Sequence, residues 1–209
     1  SFVKELTDEL PEPPQYFPSN VKLNQQGYLD LDEILSKSLK PLSVADFKSL
    51  SNQENTVILD VRSQDEFRQG FIPDSIFIGL KGGFAPWVGS VLKDVTTKLL
   101  LVCSPGTEEE AVVRLSRVGF DATIGYLNGG FDTWKDADCL INTIESIDAN
   151  GLAEVISDES ISLIDVRACG ERKNGILPIS LSVPLNVIHN HLDEINRSKK
   201  HYIHCAGGY

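Results

Sequence analysis

From Leu42 onward, apolar positions fall into short runs separated by amphipathic stretches, the pattern of alternating strand and helix. Ser43 is a cap type placed before a short helix with Val44, Phe47 and Leu50 on one face. Val57-Ile58-Leu59 is apolar on successive residues, as in a parallel strand covered on both faces, and Asp60-Val61-Arg62 closes it. A short helix is predicted over 65–69, ended by Gly70, then a strand at Ile76-Phe77-Ile78. Lys98–Val102 reads as another buried strand running into Cys103. Thr107 and Glu110 have capping-box spacing for a helix over 108–118, which Gly119 ends. Ile124–Leu127 is a further strand, and Asn128-Gly129-Gly130 turns into Phe131-Asp132-Thr133-Trp134.

The pattern then starts again. Asp60-Val61-Arg62 recurs 105 residues later as Asp165-Val166-Arg167. At that offset, without gaps, Ser43 matches Asp148, Phe47 matches Leu152 and Ile58-Leu59 matches Leu163-Ile164. Glu66 matches Glu171, Gly70 matches Gly175, Pro73 matches Pro178 and Leu80 matches Leu185. An ungapped match over about 40 positions indicates a duplicated unit. The offset falls to 102 later, where Cys103 pairs with Cys205. The expected organisation is an N-terminal arm or linker over 1–40, a first unit over 41–140 and a second over 141–209. The second is expected to be incomplete, cut at the loop after Cys205, and the chain to be a piece of a longer polypeptide.

Four prolines between Pro11 and Pro18 exclude a helix or central strand there, so the arm reads as extended, pinned by Tyr16 and Phe17. The net charge of -11 argues against nucleic acid or acidic lipid as partner. No apolar run is long enough to span a membrane. Cys103, Cys139, Cys169 and Cys205 are far apart and form no CxxC pair, which argues against a structural zinc site. No metal or other cofactor is expected, and reduced thiols in a cytoplasmic protein are.

The chemistry concentrates in His204-Cys205-Ala206-Gly207-Gly208-Tyr209, a thiol at a strand end followed by paired glycines. Read from the residues alone, Cys205 is either a nucleophile or a buried strand-end thiol, and Gly-Gly directly after the strand favours the first. Tyr209 either lines the loop or packs beside it. Strand alternation turns His204 away from Cys205. Around Cys103, Pro105 removes a backbone donor and Glu108-Glu109-Glu110 bring negative charge, which disfavours a thiolate. Arg62 with Glu66, and Arg167 with Glu171, have the spacing of a structural ion pair. Cys139 and Cys169 are either resolving thiols for Cys205 or inert.

Asp-Val-Arg, Glu four residues on, Gly-x-(Ile/Leu)-Pro-x-Ser and a strand ending in Cys together resemble the rhodanese family of sulfurtransferases. The Tyr126–Trp134 closure is similar too, and the resemblance covers residues 41–209 in tandem. It implies an α/β fold of two rhodanese-like domains, parallel sheets flanked by helices, the first degenerate. It also implies Cys205 as the catalytic nucleophile and Ala206, Gly207, Gly208 and Tyr209 as a substrate-binding loop. In that family the loop points backbone N–H groups at the sulfur and stabilises its anion. The cysteine carries sulfane sulfur as a persulfide and passes it on by double displacement. An Arg or Lys would close the loop at position 210, whereas an Arg at 211 would fit a phosphatase on the same fold. The implied partners are small sulfur-containing anions or low-molecular-weight persulfides. The Pro-Glu-Pro-Pro arm, with Asn20-Val21-x-Leu23-Asn24, resembles the segment joining a metallo-β-lactamase-fold domain to rhodanese domains in persulfide dioxygenase fusions. The alternative is a non-catalytic interaction or scaffold module.

Overall fold

A run of three leucines and a valine, Leu99–Val102, forms the centre of the molecule because each of its side chains is covered, on one face or the other. In the computed structural model, which describes residues 21, 25, 27, 30–92 and 94–207, these residues lie in β4, Lys98–Val102. Around it run α1 (Leu31–Ser38), β1 (Pro41–Leu42), α2 (Val44–Ser51), β2 (Thr56–Asp60), α3 (Gln64–Gln69), β3 (Ile76–Phe77) and α4 (Phe84–Val91). The chain continues through α5 (Glu108–Ser116), β5 (Thr123–Leu127) and α6 (Gly130–Asp136). All strand pairs are parallel, in the order β1-β5-β4-β2-β3. One face packs Leu59, Leu99, Leu101, Phe84, Val88, Leu115 and Phe120, and the other Phe47, Ile58, Leu100, Val102 and Trp134. This is the two-sided burial that a continuous apolar strand predicts.

The second part holds α7 (Ala149–Val155), β6 (Ile161–Asp165), a 3₁₀ turn (Glu171–Asn174) and β7 (Leu181–Ser182). Two further 3₁₀ turns (Leu185–Asn190, Leu192–Glu194) lead to β8 (Lys200–His204). These strands form a parallel sheet ordered β7-β6-β8. Its register repeats the first. Asp60 pairs Val102 as Asp165 pairs His204, and Leu59 pairs Ile76 as Ile164 pairs Leu181. Both offsets appear in the register, and the caps at Ser43 and Asp148 form, each cap side chain accepting a backbone N–H three residues on. The two parts touch where α4 packs on the 185–190 turn, and His189 Nε2 donates to the Val91 carbonyl at 2.7 Å.

Several local expectations need correction. Thr107 does not cap α5; its hydroxyl turns back to donate to the Ser104 carbonyl at 2.8 Å. Its backbone (φ -107, ψ 5) is not the extended form that a cap requires. The capping box lies instead at Ser63-x-x-Glu66, where both reciprocal bonds form. The helix after Cys103 stops at Ser116, and the strand at Ile76 stops at Phe77. Helix α1 precedes the predicted alternation and buries Ile34. Helix α4 follows Gly82-Gly83 and carries Pro86. Pro86 is tolerated because it sits in the first turn, whose N–H groups have no partner in the helix. The proline-rich segment over 10–18 lies outside the described residues.

Candidate active site

Each sheet closes the end of one parallel strand pair, β2 with β4 and β6 with β8, in the same clasp. Asp60 is wholly buried and accepts from the Nε and Nη2 of Arg62, whose Nη2 also donates to the Gly70 carbonyl at 2.8 Å. Asp165 accepts from Arg167 Nε at 2.9 Å and Nη2 at 2.8 Å, and Nη2 reaches the Gly175 carbonyl at 2.9 Å. The expected pairing of Arg62 with Glu66 and of Arg167 with Glu171 is thus corrected. A side chain on the strand end, two residues back, offers both oxygens at closer range than one a helical turn ahead. The glutamates satisfy backbone instead: Glu66 accepts from Ser63 N–H and Glu171 from Ala168 N–H. With Ala168 in place of Ser63, only half of the capping box survives, and a 3₁₀ turn replaces α3.

The clasp sets the strand that carries each cysteine. Val61 N–H bonds to the Val102 carbonyl and Val166 N–H to the His204 carbonyl, both at 3.0 Å. Cys103 and Cys205 then follow immediately. Their surroundings differ. Cys103 is 2% exposed, and burial pushes its thiol well above the usual range, reinforced by the charges of Glu108 and Asp60. Ser104 turns its hydroxyl toward Glu66, Gly106 takes a left-handed φ of 87°, and Gly130 packs against the Cys103 carbonyl. A cleft of about 470 Å³ opens above this loop, lined by Arg62, Glu66, Leu80, Ser104, Thr107 and Glu110. Cys103 does not line it.

Cys205 is half-buried, and Ala206 and Gly207 are exposed. Gly208 and Tyr209 lie outside the described residues. His204 does not stand alone on its face: its Nε2 lies 4.0 Å from Asp165 Oδ2. Arg172 Nε approaches the same oxygen at 3.3 Å. Hydrogen bonds from Arg167, with His204 nearby, hold the Asp165 carboxyl down at about 2. Sequence reasoning missed Arg172 and Ser182, although the repeat offset marks both as polar replacements of phenylalanines, Phe67 and Phe77. Cys139 donates weakly to the Ala137 carbonyl, and Cys169 is exposed. A larger crevice, about 560 Å³, opens beside Ile156, Ile161, Glu194 and Lys199, at the far end of β6 from Cys205. Among the described residues no group of three His, Cys, Asp or Glu side chains could hold a metal ion. Among the described residues no helix is long and apolar enough to cross a membrane.

The family model described as "Rhodanese-like domain" matches residues 43–137. The chain is 31% identical over 101 residues to the thiosulfate sulfurtransferase GlpE of Shewanella oneidensis, covering 48% of this chain and 96% of that one. It is 29% identical over 66 residues to a sulfurtransferase of Allochromatium vinosum, covering 31% of this chain and 62% of the relative. Among solved structures, a metallo-beta-lactamase from Staphylococcus aureus overlaps with a TM-score of 0.48 at 22% identity, covering 61% of this chain and 34% of that one. A thiosulfate sulfurtransferase from Pseudomonas aeruginosa overlaps with a TM-score of 0.40 at 18% identity, over 94% of this chain and 42% of that one.

Proposed function

Because the chain belongs to the rhodanese-like domain family, we propose that it transfers sulfane sulfur through a persulfide on Cys205, as part of a larger sulfide- or persulfide-handling protein. The observation that carries this reading is the contrast between the two strand-end thiols. Cys103 is enclosed and held protonated, whereas Cys205 sits half-open at the equivalent place before a small-residue loop. Residues 41–140 would be a silent rhodanese-like unit and 141–209 the working one, a reading supported by the repeated clasp and register. Chain beyond Tyr209 would complete the loop that Ala206, Gly207, Gly208 and Tyr209 begin, and a metallo-β-lactamase-fold domain would precede the arm. Small sulfur anions or low-molecular-weight persulfides would be the substrates, and the cytoplasm the compartment.

In the proposed cycle the Cys205 thiolate attacks the outer sulfur of thiosulfate. The S–S bond breaks and sulfite leaves with its electron pair. Cys205–S–S⁻ remains, and a thiol or cyanide acceptor takes the terminal sulfur and returns the thiolate. Peptide mass spectrometry after thiosulfate treatment should find one added sulfur on Cys205 and none on Cys103. Cys205→Ser should abolish both this adduct and sulfurtransfer. Undiminished sulfurtransfer in that variant would refute the reading; a wild-type chain that takes up no sulfur would favour a scaffold role.

A further inference from the structure

Arg172 stands where the repeat places Phe67. In the first sheet Phe67 is buried and stacks on Phe71 and Phe77, with ring centroids 4.3 and 4.6 Å apart. In the second sheet the same three places hold Arg172, Ile176 and Ser182, and His204 stands in place of Val102. Apolar packing has been exchanged for a polar cluster around one arginine. Arg172 donates from Nη1 to Ser182 Oγ and sets its Nε 3.3 Å from Asp165 Oδ2. That carboxylate is fully buried and already accepts two hydrogen bonds from the Arg167 guanidinium and one from its backbone N–H.

The two sheets differ in charge balance. Asp60 and Arg62 neutralise one another, and the loop after Cys103 adds only acid, Glu108 to Glu110. Asp165 pairs with both Arg167 and Arg172, where Asp60 pairs with Arg62 alone, so Arg172 is a surplus charge relative to the first sheet. Glu171 does not offset the difference between the sheets, because Glu66 occupies its place in the first. Folding does not require the surplus, since an aromatic ring fills the position in the first sheet without a charge to desolvate. Both Arg172 Nε and His204 Nε2 are buried and make no hydrogen bond. The second site therefore carries one positive charge more than the first, and the next residue along β8 is Cys205.

We infer that Arg172 is a specificity-determining residue that favours anionic over neutral sulfur reagents at Cys205, an asymmetry the first sheet does not have. The inference rests on Cys205 being the sulfur-carrying nucleophile. Arg172 acts through its field rather than by contact, as a fixed charge in a partly desolvated site raises the local concentration of counter-ions.

The test compares iodoacetate, an anion, with iodoacetamide, its neutral analogue, on the full chain, following Cys205 by peptide mass spectrometry. Arg172→Gln should slow iodoacetate and thiosulfate loading about three- to tenfold relative to iodoacetamide, the effect of one charge at intermediate dielectric. Arg172→Lys should keep the wild-type ratio. In the wild type, added salt should lower the iodoacetate-to-iodoacetamide ratio, and in Arg172→Gln it should not. Because the salt series uses the wild type, it decides even if a variant folds poorly. An equal loss with both reagents, or a ratio insensitive to salt, would overturn the inference. Should thiosulfate load nothing while the alkylation ratio behaves as stated, sulfur transfer and with it the selection of sulfur reagents fall, and only the charge effect of Arg172 on the Cys205 thiol stands.

Discussion

The thiol of Cys103 and the carboxylate of Asp60 lie close together under the first loop, and neither meets water. A buried thiol surrounded by acid is a small hydrophobe rather than a nucleophile. Cys103 should therefore resist iodoacetamide in the folded protein and react only after denaturation, as differential alkylation would show. Arg62→Met would strand Asp60 without its partner, at a cost of about 3–5 kcal/mol, measurable by urea unfolding. Asp165 gives a pH signature. Its folded value is depressed from 3.8 to about 2, so its stabilising effect is complete above pH 4 and is lost as pH falls from about 4 to 2. Thermal unfolding across that window should show a steeper acid loss in the wild type than in Asp165→Asn.

Short elements here depend on individual caps more than on propensity. Helix α2 has eight residues, below the length at which a helix holds alone. Ser43→Ala, which removes the bond to the Asp46 N–H, should cost about 1 kcal/mol in chemical denaturation. The Gly129-Gly130 turn serves a different need. Gly130 has φ 67°, and a Cβ there would sit 2.9 Å from the Cys103 carbonyl. Gly130→Ala should therefore destabilise by about 1–3 kcal/mol and open the Cys103 loop, making that thiol more reactive than in the wild type. The comparison of α3 with the 171–174 turn shows how one hydroxyl decides an element: Ser63 completes a capping box, and Ala168 leaves half of one.

At the scale of the whole molecule, two sheets share a register but not their burial. β4 lies between β2 and β5, and its Leu101 is fully buried. β8 pairs with β6, and among the described residues nothing pairs with its other edge; Ile203, the counterpart of Leu101, is 65% exposed. Among described apolar residues of the second sheet, Leu163, Ile164 and Val183 are the buried ones. Hydrogen exchange should accordingly find β4 amides protected to near the global stability, and β8 amides facing away from β6 exchanging orders of magnitude faster.

The strands, the repeated register and the position of both cysteines were legible because each depends on local periodicity or on a one-to-one match along the chain. Leu99–Val102 could be nothing but a covered strand, and the two offsets already implied the register later seen between β6 and β8. The unequal fate of the thiols was partly legible too, from Pro105 and the three glutamates. Tertiary structure alone decided what each charge touches. Arg62 and Glu66 have the spacing of a helical pair, yet the turn between them sends one to Asp60 and the other to Ser63. Arg172 and His204 are far apart in sequence, on separate elements, and meet only because parallel pairing sets β8 beside β6, with the 171–174 turn packed above Asp165. Charge acts through space, whereas pattern acts along the chain, and the convergence of Arg172 and His204 on Asp165 belongs to the first of these.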